Sequence, residues 1–180
     1  MTQPINTTAI EKATHKSWAA WVRELDAAGA QQLSHADLAK LVNAKLAGME
    51  SAGWWAQGIT VAYEQHMGKR VPGQLANGLF ELAVSKTVAL SRVELFVRIC
   101  EWCDAQADFD GHAPLKARTS ETPKRSNWRC DFSDGSKFAA TVEAAGDKAK
   151  LVLTHTAVPT KQEADAWKVY WKGVADGFAR

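Results

Sequence analysis

The chain has few cysteines, no long apolar run and almost no excess of charge, and each of these absences excludes a class of protein. Three cysteines cannot all pair, which favours reduced thiols in the cytoplasm over a disulfide framework. An apolar run of about 18 residues, enough to cross a bilayer, is missing. The first 16 residues lack the apolar core of a secretion signal. With a net charge of +2, we expect a cytoplasmic protein with neither a membrane nor a nucleic acid as partner.

Motifs that identify common enzymes are missing as well. The sequence has no phosphate-binding glycine loop, no G-x-S-x-G elbow and no H-E-x-x-H pair. We therefore predict no cofactor and no metal, and we expect a binding protein more than an enzyme.

Tryptophan is abundant where these other features are scarce. The eight tryptophans are spread over nearly every predicted element, and each can bury on the order of 200 Å². Such a distribution is typical of a core built from aromatic side chains.

The first half of the chain has the apolar periodicity of helices. One helix is predicted over His15–Ala28, a second after the N-cap candidate Ser34, and a third after Gly53. The stretch Val71–Gly78 carries a proline and two glycines among polar residues, so it is the best candidate for a linker.

The second half changes to a period of two residues, which is typical of strands. Apolar positions alternate over Leu79–Ala89, and again on both sides of the hairpin turns Asp134-Gly135 and Gly146-Asp147. A weaker strand is predicted over Leu115–Arg118.

Two capping boxes mark helices in this half. The first is Ser91 with Glu94, and the second is Thr160 with Glu163. The second box opens a long amphipathic helix whose apolar stripe is wide enough to lie across a sheet. Its members are Ala164, Trp167, Trp171, Val174 and Phe178, with Tyr170 beside them.

Strand, helix, antiparallel meander and long closing helix is the order of the helix-grip fold. The segments FELAVSKTVALSRVELF and LVLTHTAVP, with the tryptophan-rich helix that follows, resemble the START-related SRPBCC superfamily. Within it they are most similar to the branch of homologues of the activator of the heat-shock-protein-ninety ATPase. Upstream, KSWAAWVRELDAAGA, LSHADLAKLV and GWWAQGITVAYEQHMGKRVPG resemble a helical domain of unknown function that bacterial proteins often carry.

The resemblance implies an α+β protein with an N-terminal helical region packed on a short helix-grip. The expected domains are residues 1–77, helical and of unknown function, and residues 78–180, a compact SRPBCC-like domain. The region between Asp104 and Asn127 is shorter than the usual first hairpin. A smaller sheet encloses a smaller cavity, or one that the helical region plugs.

The superfamily contains carriers, cyclases and chaperone cofactors, so the fold alone selects no function. Our first hypothesis is a non-catalytic binding protein that takes a small hydrophobic ligand between the sheet and the C-terminal helix. Apolar aromatic clefts with few polar groups suit such ligands. The candidate ligand-binding residues are Trp128, Phe138, His155, Trp167, Tyr170 and Trp171. The alternative at these positions is that the side chains fill one another.

The second hypothesis is a protein-interaction or co-chaperone-like module with a filled core. Its docking face, for a protein partner or a second copy of the chain, would include Trp54, Trp55 and Tyr63. A third hypothesis, a cyclase-type enzyme, would use His155 as its base.

Cys100 and Cys103 form a CxxC pair, but we expect it to be inert. Both cysteines lie inside a predicted helix, on an apolar stripe with Val93, Phe96 and Val97. In that position a free cysteine behaves as a small hydrophobe.

Overall fold

The structure of the protein is a computed structural model that describes residues 5–179. Residues 1–4 and 180, which belong to the ends of the two predicted domains, lie outside the described residues. The chain divides after Pro72 into two compact units. The first unit contains helices, and the second contains a sheet with two helices, so the α+β class is confirmed.

The first unit consists of four α-helices and one short 3₁₀ turn. The α-helices are α1 (Thr7–Thr14), α2 (Trp18–Ala27), α3 (His35–Lys45) and α4 (Ala52–His66), and the turn is Ala30–Gln32. Ser34 caps α3 as predicted, because its hydroxyl accepts the backbone N–H of Asp37. Helix α1 was not predicted, since Ile10 is its only buried residue and leaves no apolar stripe to read.

The core of the first unit is apolar, with one ionic cluster at its edge. Its buried side chains are Ile10, Trp21, Leu25, Ala30, Leu38, Val42, Leu46, Ala56, Ile59, Ala62 and Tyr63. The carboxylate of Glu64, which is largely buried, lies 2.9 Å from Nε of Arg70 and 2.9 Å from Nδ1 of His35. Both partners compensate for the loss of water around it. Among residues 5–179, no helix has the length and apolar content needed to cross a membrane.

The second unit is a five-stranded antiparallel sheet with both of its helices packed against it. Its elements are β1 (Phe80–Val88), α5 (Arg92–Asp104), β2 (Leu115–Glu121), β3 (Arg125–Asp131), β4 (Lys137–Ala145), β5 (Lys148–Val158) and α6 (Lys161–Phe178). The strand order is β1-β5-β4-β3-β2. Helix α6 packs against β1 and β5, whereas α5 packs against β3, β4 and β5.

The register of the sheet sets one apolar face toward the helices. Phe138 lies opposite Cys130 on one neighbouring strand and opposite His155 on the other. Alternate residues along each strand share this face. On β1 the inward series contains Lys86, whose ammonium group lies 2.6 Å from Oδ1 of Asp176 on α6. The one charged residue in this series therefore forms an ion pair between strand and helix.

Both predicted capping boxes are present at the starts of α5 and α6. The predicted stripe of α5 is partly wrong. Phe96 and Cys103 are buried, but Val93 and Val97 are 63% and 50% exposed. The buried face includes Leu95 instead, because the helix is rotated by about one residue from the predicted orientation.

The centre of the second core is a side chain from a loop. Phe109 lies between α5 and β2, outside any helix or strand, and it is fully buried. Its ring centroid lies within 5.7–6.0 Å of five other aromatic rings. Those rings belong to Trp102, Trp128, Phe132, Phe138 and Trp171. The region between Asp104 and Asn127 was expected to be too short for the usual first hairpin, but β2 and the start of β3 form one there, so that expectation is wrong. The loop before β2 supplies the residue that fills the core.

We expect Phe109→Ala to lower the free energy of unfolding by about 3–5 kcal/mol, because the lost ring leaves a cavity among rigid neighbours. Chemical denaturation monitored by tryptophan fluorescence measures this loss. Phe109→Leu, which keeps most of the apolar volume, should be clearly milder. A loss below about 1 kcal/mol for the alanine variant would contradict the central position of this ring.

Candidate functional site

The predicted ligand-binding residues meet in one stack of rings beneath α6. Trp171 lies flat on Phe138, with ring centroids 3.9 Å apart and an interplanar angle of 7°. Trp167 is parallel to Trp171 at 5.4 Å. Both indoles project from the buried side of α6, four residues apart, so helical spacing places them one above the other.

His155 is the polar centre of this stack, and both of its ring nitrogens are hydrogen-bonded. Trp171 Nε1 donates to its Nδ1 at 3.1 Å, which requires Nδ1 to be unprotonated. The remaining proton therefore lies on Nε2, 2.9 Å from the hydroxyl oxygen of Ser136. Burial lowers the pKa of His155 to about 4, although the nearby Asp134 opposes this shift. The imidazole is neutral at physiological pH.

Trp128 is fixed in a similar way at the other end of the core. Its Nε1 donates to Oδ1 of Asp104, the last residue of α5, at 2.8 Å. The indole is almost wholly buried. This bond satisfies the one polar atom of a large apolar side chain.

Five of the six predicted ligand-binding residues are buried by one another. Trp128, Phe138, His155, Trp167 and Trp171 are at most 5% exposed. The space predicted for a ligand is occupied by these rings and by Phe109. The aromatic side chains of this small sheet and its helices are bulky enough to fill the core to native packing density without a ligand. Contact between these five residues and a ligand stays a prediction that would require the core to open.

Tyr170, the sixth residue, lines a groove on another side of α6. The groove has a volume of about 580 Å³, within the range of small-molecule sites. It is lined by Trp102, Tyr170, Gly173, Val174, Gly177 and Phe178. Trp102 of α5 and Phe178 of α6 meet edge to face at 5.9 Å. Three aromatic rings therefore surround an open apolar site.

Two glycines on α6 keep this groove open. A Cβ atom added to Gly173 or Gly177 would meet no atom within 4 Å, so packing inside the chain does not require either glycine. Each costs the helix about 1 kcal/mol relative to alanine. Because glycine has no side chain, a ligand in the groove can contact the backbone of α6 directly at these two positions.

The hydroxyl of Tyr170 gives the groove a polar group that stays uncharged. Partial burial raises the pKa of this phenol, and the negative charges of Asp110 and Asp108 raise it further. The side chain is therefore a neutral hydrogen-bond donor and acceptor at physiological pH.

The cysteines have the properties of buried apolar residues. Burial raises the pKa of Cys130 to about 12, and it also raises the pKa values of Cys103 and Cys100. The reactive form of cysteine is the thiolate, so these thiols are poor nucleophiles. Within the described residues, no three His, Cys, Asp or Glu side chains cluster closely enough to hold a metal ion.

The three residues of the predicted docking face differ widely in exposure. Trp54 is 68% exposed, and it meets the half-buried Trp55 edge to face at 4.5 Å. Tyr63 is 1% exposed, and its hydroxyl donates to Oδ1 of Asp26 at 2.5 Å. Burial and that carboxylate raise the pKa of Tyr63 to about 12. Tyr63 cannot belong to an exposed face, because its ring packs into the core between α2 and α4.

Sequence reasoning missed most of the groove. The available signal was Gly173 and Gly177, four residues apart in a predicted helix, because unexplained glycines in a helix interior suggest a close approach. Trp102 gave no signal beyond its type. Phe109, beneath the groove, is the only large apolar residue between Ala105 and Pro114.

Comparisons with known proteins add little to this geometry. No family model and no curated protein matches the chain. The solution structure of the Aha1 dimer from Colwellia psychrerythraea is similar over 56% of this chain and 97% of that one, with 9% sequence identity and a TM-score of 0.37. A likeness of this size assigns neither a family nor a function to the protein. Membership of the SRPBCC superfamily therefore stays a prediction from the sequence.

We expect His155 to make the free energy of unfolding fall as the pH drops from about 6.5 toward 4. Over that range the imidazole takes up a proton in the unfolded chain but stays neutral in the folded protein. Between pH 7 and pH 5 the loss should be roughly 2 kcal/mol. Urea unfolding of the wild type at both pH values, compared with His155→Gln, isolates this contribution.

His66→Gln is the matched control, because His66 is exposed, lies in α4 of the first unit and is not among the groups that shift the pKa of His155, so the pH dependence of His155 should stay in place. The ring of His155 is also visible by NMR in the wild type. An NMR titration with a midpoint near 6.5 would show that the imidazole is not held neutral by burial.

Proposed function

We propose that the protein is a non-catalytic binding protein that takes a small hydrophobic molecule in the groove beside the C-terminal half of α6. The observation that carries this proposal is an open site of about 580 Å³ with aromatic walls and a floor of two glycines that the fold does not need. The ligand class is the one predicted from the sequence. The position differs, because the ligand lies outside the filled core.

Burial of apolar surface supplies the binding free energy. A ligand that loses about 200 Å² of its apolar surface to Trp102, Tyr170 and Phe178 gains about 5 kcal/mol before the costs of association. Offset or edge-to-face contact with these rings favours a flat, unsaturated molecule. The hydroxyl of Tyr170 then orients a single polar group of the ligand.

Rigid neighbours support two walls of the groove. Trp102 also contacts Phe109 at 5.7 Å, so its ring is held from below by the aromatic core. Tyr170 contacts the fixed indole of Trp171 at 4.8 Å. A pre-formed wall reduces the ordering that a ligand has to impose.

We expect Gly173→Leu to weaken binding of the neutral dye Nile red at least tenfold, because the new side chain fills the groove. The substitution should not reduce stability, since its Cβ meets open space and leucine favours the helix. Nile red fluorescence, titrated with wild type and variant, measures the change. Native mass spectrometry of freshly purified wild type shows whether a ligand is already bound.

Gly58→Leu is the control, because Gly58 is another glycine inside a helix, with open space at its Cβ, but lies in α4. It should bind the dye as the wild type does. Equal weakening in both variants, or none in either, would exclude the groove as the binding site.

A second candidate function, a protein-interaction or co-chaperone-like module, is favoured by the exposure of Trp54. A tryptophan that is 68% exposed near the start of α4 presents a large apolar surface to the solvent. The partner we propose is a second copy of this chain, so that the protein forms a homodimer. Tyr63 has no part in this proposal, because it is buried.

We expect Trp54→Ser to shift the protein from dimer to monomer in analytical ultracentrifugation over a range of concentrations. Loss of an exposed indole should change stability by less than about 0.5 kcal/mol, so the fold is retained. The control is Val169→Ser, because Val169 is also a large exposed apolar residue, 75% exposed, but lies on α6. A wild type that is monomeric at every concentration would count against self-association through Trp54.

The hypothesis of a cyclase-type enzyme required His155 to act as a general base, and the environment of this residue does not suit that role. His155 is fully buried, and both of its nitrogens bind neighbouring side chains. A general base must reach the proton that it removes. We therefore propose no reaction at this residue.

A further inference from the structure

The sheet ends at β1, and most of that edge is open. Strand β1 pairs with β5 on one side. On its other side, Gln74 bridges Phe80, and the backbone N–H of Glu81 donates to the carbonyl of Gly73. From Leu82 to Val88, no strand in the described part of the chain pairs with this edge. Alternate N–H and C=O groups of an edge strand point away from the sheet and can pair with another chain.

The two edges of the sheet are protected differently. At the other edge, β2 carries the charged side chains Lys116, Arg118 and Glu121, and its pairing with β3 has a register shift at Leu115–Arg118. Charges and irregular pairing are the usual protection of an edge against association. Along the open part of β1, Lys86 is the only charged residue, and Asp176 pairs with it.

Lysines from α6 flank the open edge. A recess of about 250 Å³ is lined by Ala83, Val84, Ser85 and Lys86 of β1 together with Lys168, Lys172, Ala175 and Asp176 of α6. Three of these side chains are cationic and one is anionic. Within residues 5–179, no carboxylate lies within 4.0 Å of the ammonium groups of Lys168 and Lys172. The recess therefore has an excess of positive charge.

The spacing of the two lysines matches that of an extended chain. Lys168 and Lys172 are four residues apart, so they rise about 6 Å along the helix axis. Side chains on one face of a strand repeat about every 6.6 Å. Two acidic residues separated by one residue in an added strand would therefore face the two lysines together.

We propose that the open edge of β1 binds an acidic, extended segment of a partner protein, which adds to the sheet as a sixth strand. Its backbone pairs with Leu82–Val88, and two of its carboxylates lie against Lys168 and Lys172. This site goes beyond the hydrophobic groove, because its lysines lie on the opposite side of α6 from Gly173 and Gly177.

Charge also selects against a second copy of the chain at this edge. Pairing of two β1 strands would bring two sets of lysines together, and like charges disfavour such a contact. An acidic strand meets the same lysines with attraction. Lys168 and Lys172 thus disfavour pairing of this edge with a second copy while leaving it open to a partner of opposite charge.

The test uses the full-length protein and a fluorescent peptide of alternating valine and glutamate, eight residues long. We expect binding by fluorescence anisotropy, weakened by added salt. In ¹⁵N NMR spectra, the amide signals of Leu82–Val88 and Lys168–Asp176 should shift on binding. The double variant Lys168→Glu, Lys172→Glu should bind at least tenfold more weakly.

Two controls separate strand addition from general attraction between charges. Lys124→Glu with Lys137→Glu changes the net charge by the same amount at exposed positions near β3 and β4, and it should leave binding almost unchanged. A peptide that is N-methylated at alternate residues keeps its charge but cannot donate backbone hydrogen bonds on one side, so it should bind weakly.

Several outcomes would overturn the proposal. They are absence of binding by the unmodified peptide, equal binding of the N-methylated peptide, and equal losses in both double variants. A sedimenting dimer with signal changes at Leu82–Val88 on dilution would show that a second copy occupies this edge instead.

Discussion

The indole of Trp171 joins the C-terminal helix to the sheet through both its face and its nitrogen, and the rest of the second unit depends on this connection. The face lies on Phe138 of β4, and the N–H donates to His155 of β5. A stacked ring resists tilting, and a directed hydrogen bond resists rotation about the helix axis. Together they fix which side of α6 is buried and therefore which sides remain exposed.

Helix α6 consequently presents three different sides. The side with Ala164, Trp167 and Trp171 is buried against the sheet. The glycines, with Tyr170 and Val174, form the floor of an apolar groove. The opposite side carries Lys168 and Lys172 beside the edge of the sheet. Successive residues of an α-helix are about 100° apart around its axis. Rotation of α6 by one residue would therefore displace all three sides at once.

Much of the fold could be predicted from local patterns. Alternation on each side of Asp134-Gly135 gave the central hairpin, and the two capping boxes gave the starts of α5 and α6, because caps and tight turns depend on a few neighbouring residues. Prediction was weaker where the signal depends on tertiary packing. Val93 and Val97 have the composition of a buried stripe, but the rotation of α5 is set by the strands beneath it.

The candidate site was predictable in its chemistry and not in its position. The sequence indicates an aromatic environment around α6, and that environment exists. Whether it contains a space depends on the summed volume of side chains from distant segments, and one loop residue, Phe109, is enough to fill it. Periodicity cannot detect such a residue, because a loop has no regular spacing. The groove could not be predicted for a related reason, since its walls come from two helices, α5 and α6, that are far apart in the sequence.

The two glycines that open the groove also weaken the helix that contains them. A glycine loses more conformational entropy on folding than any other residue. The last turns of α6 therefore unfold locally more readily than the turns anchored by Trp171. Phe178 lies in those last turns, and one wall of the groove is therefore ordered only while the helix end is wound. A molecule held between Trp102 and Phe178 would reduce this local unfolding. Occupancy of the groove and order in the last turns of α6 are thus coupled by conformational entropy.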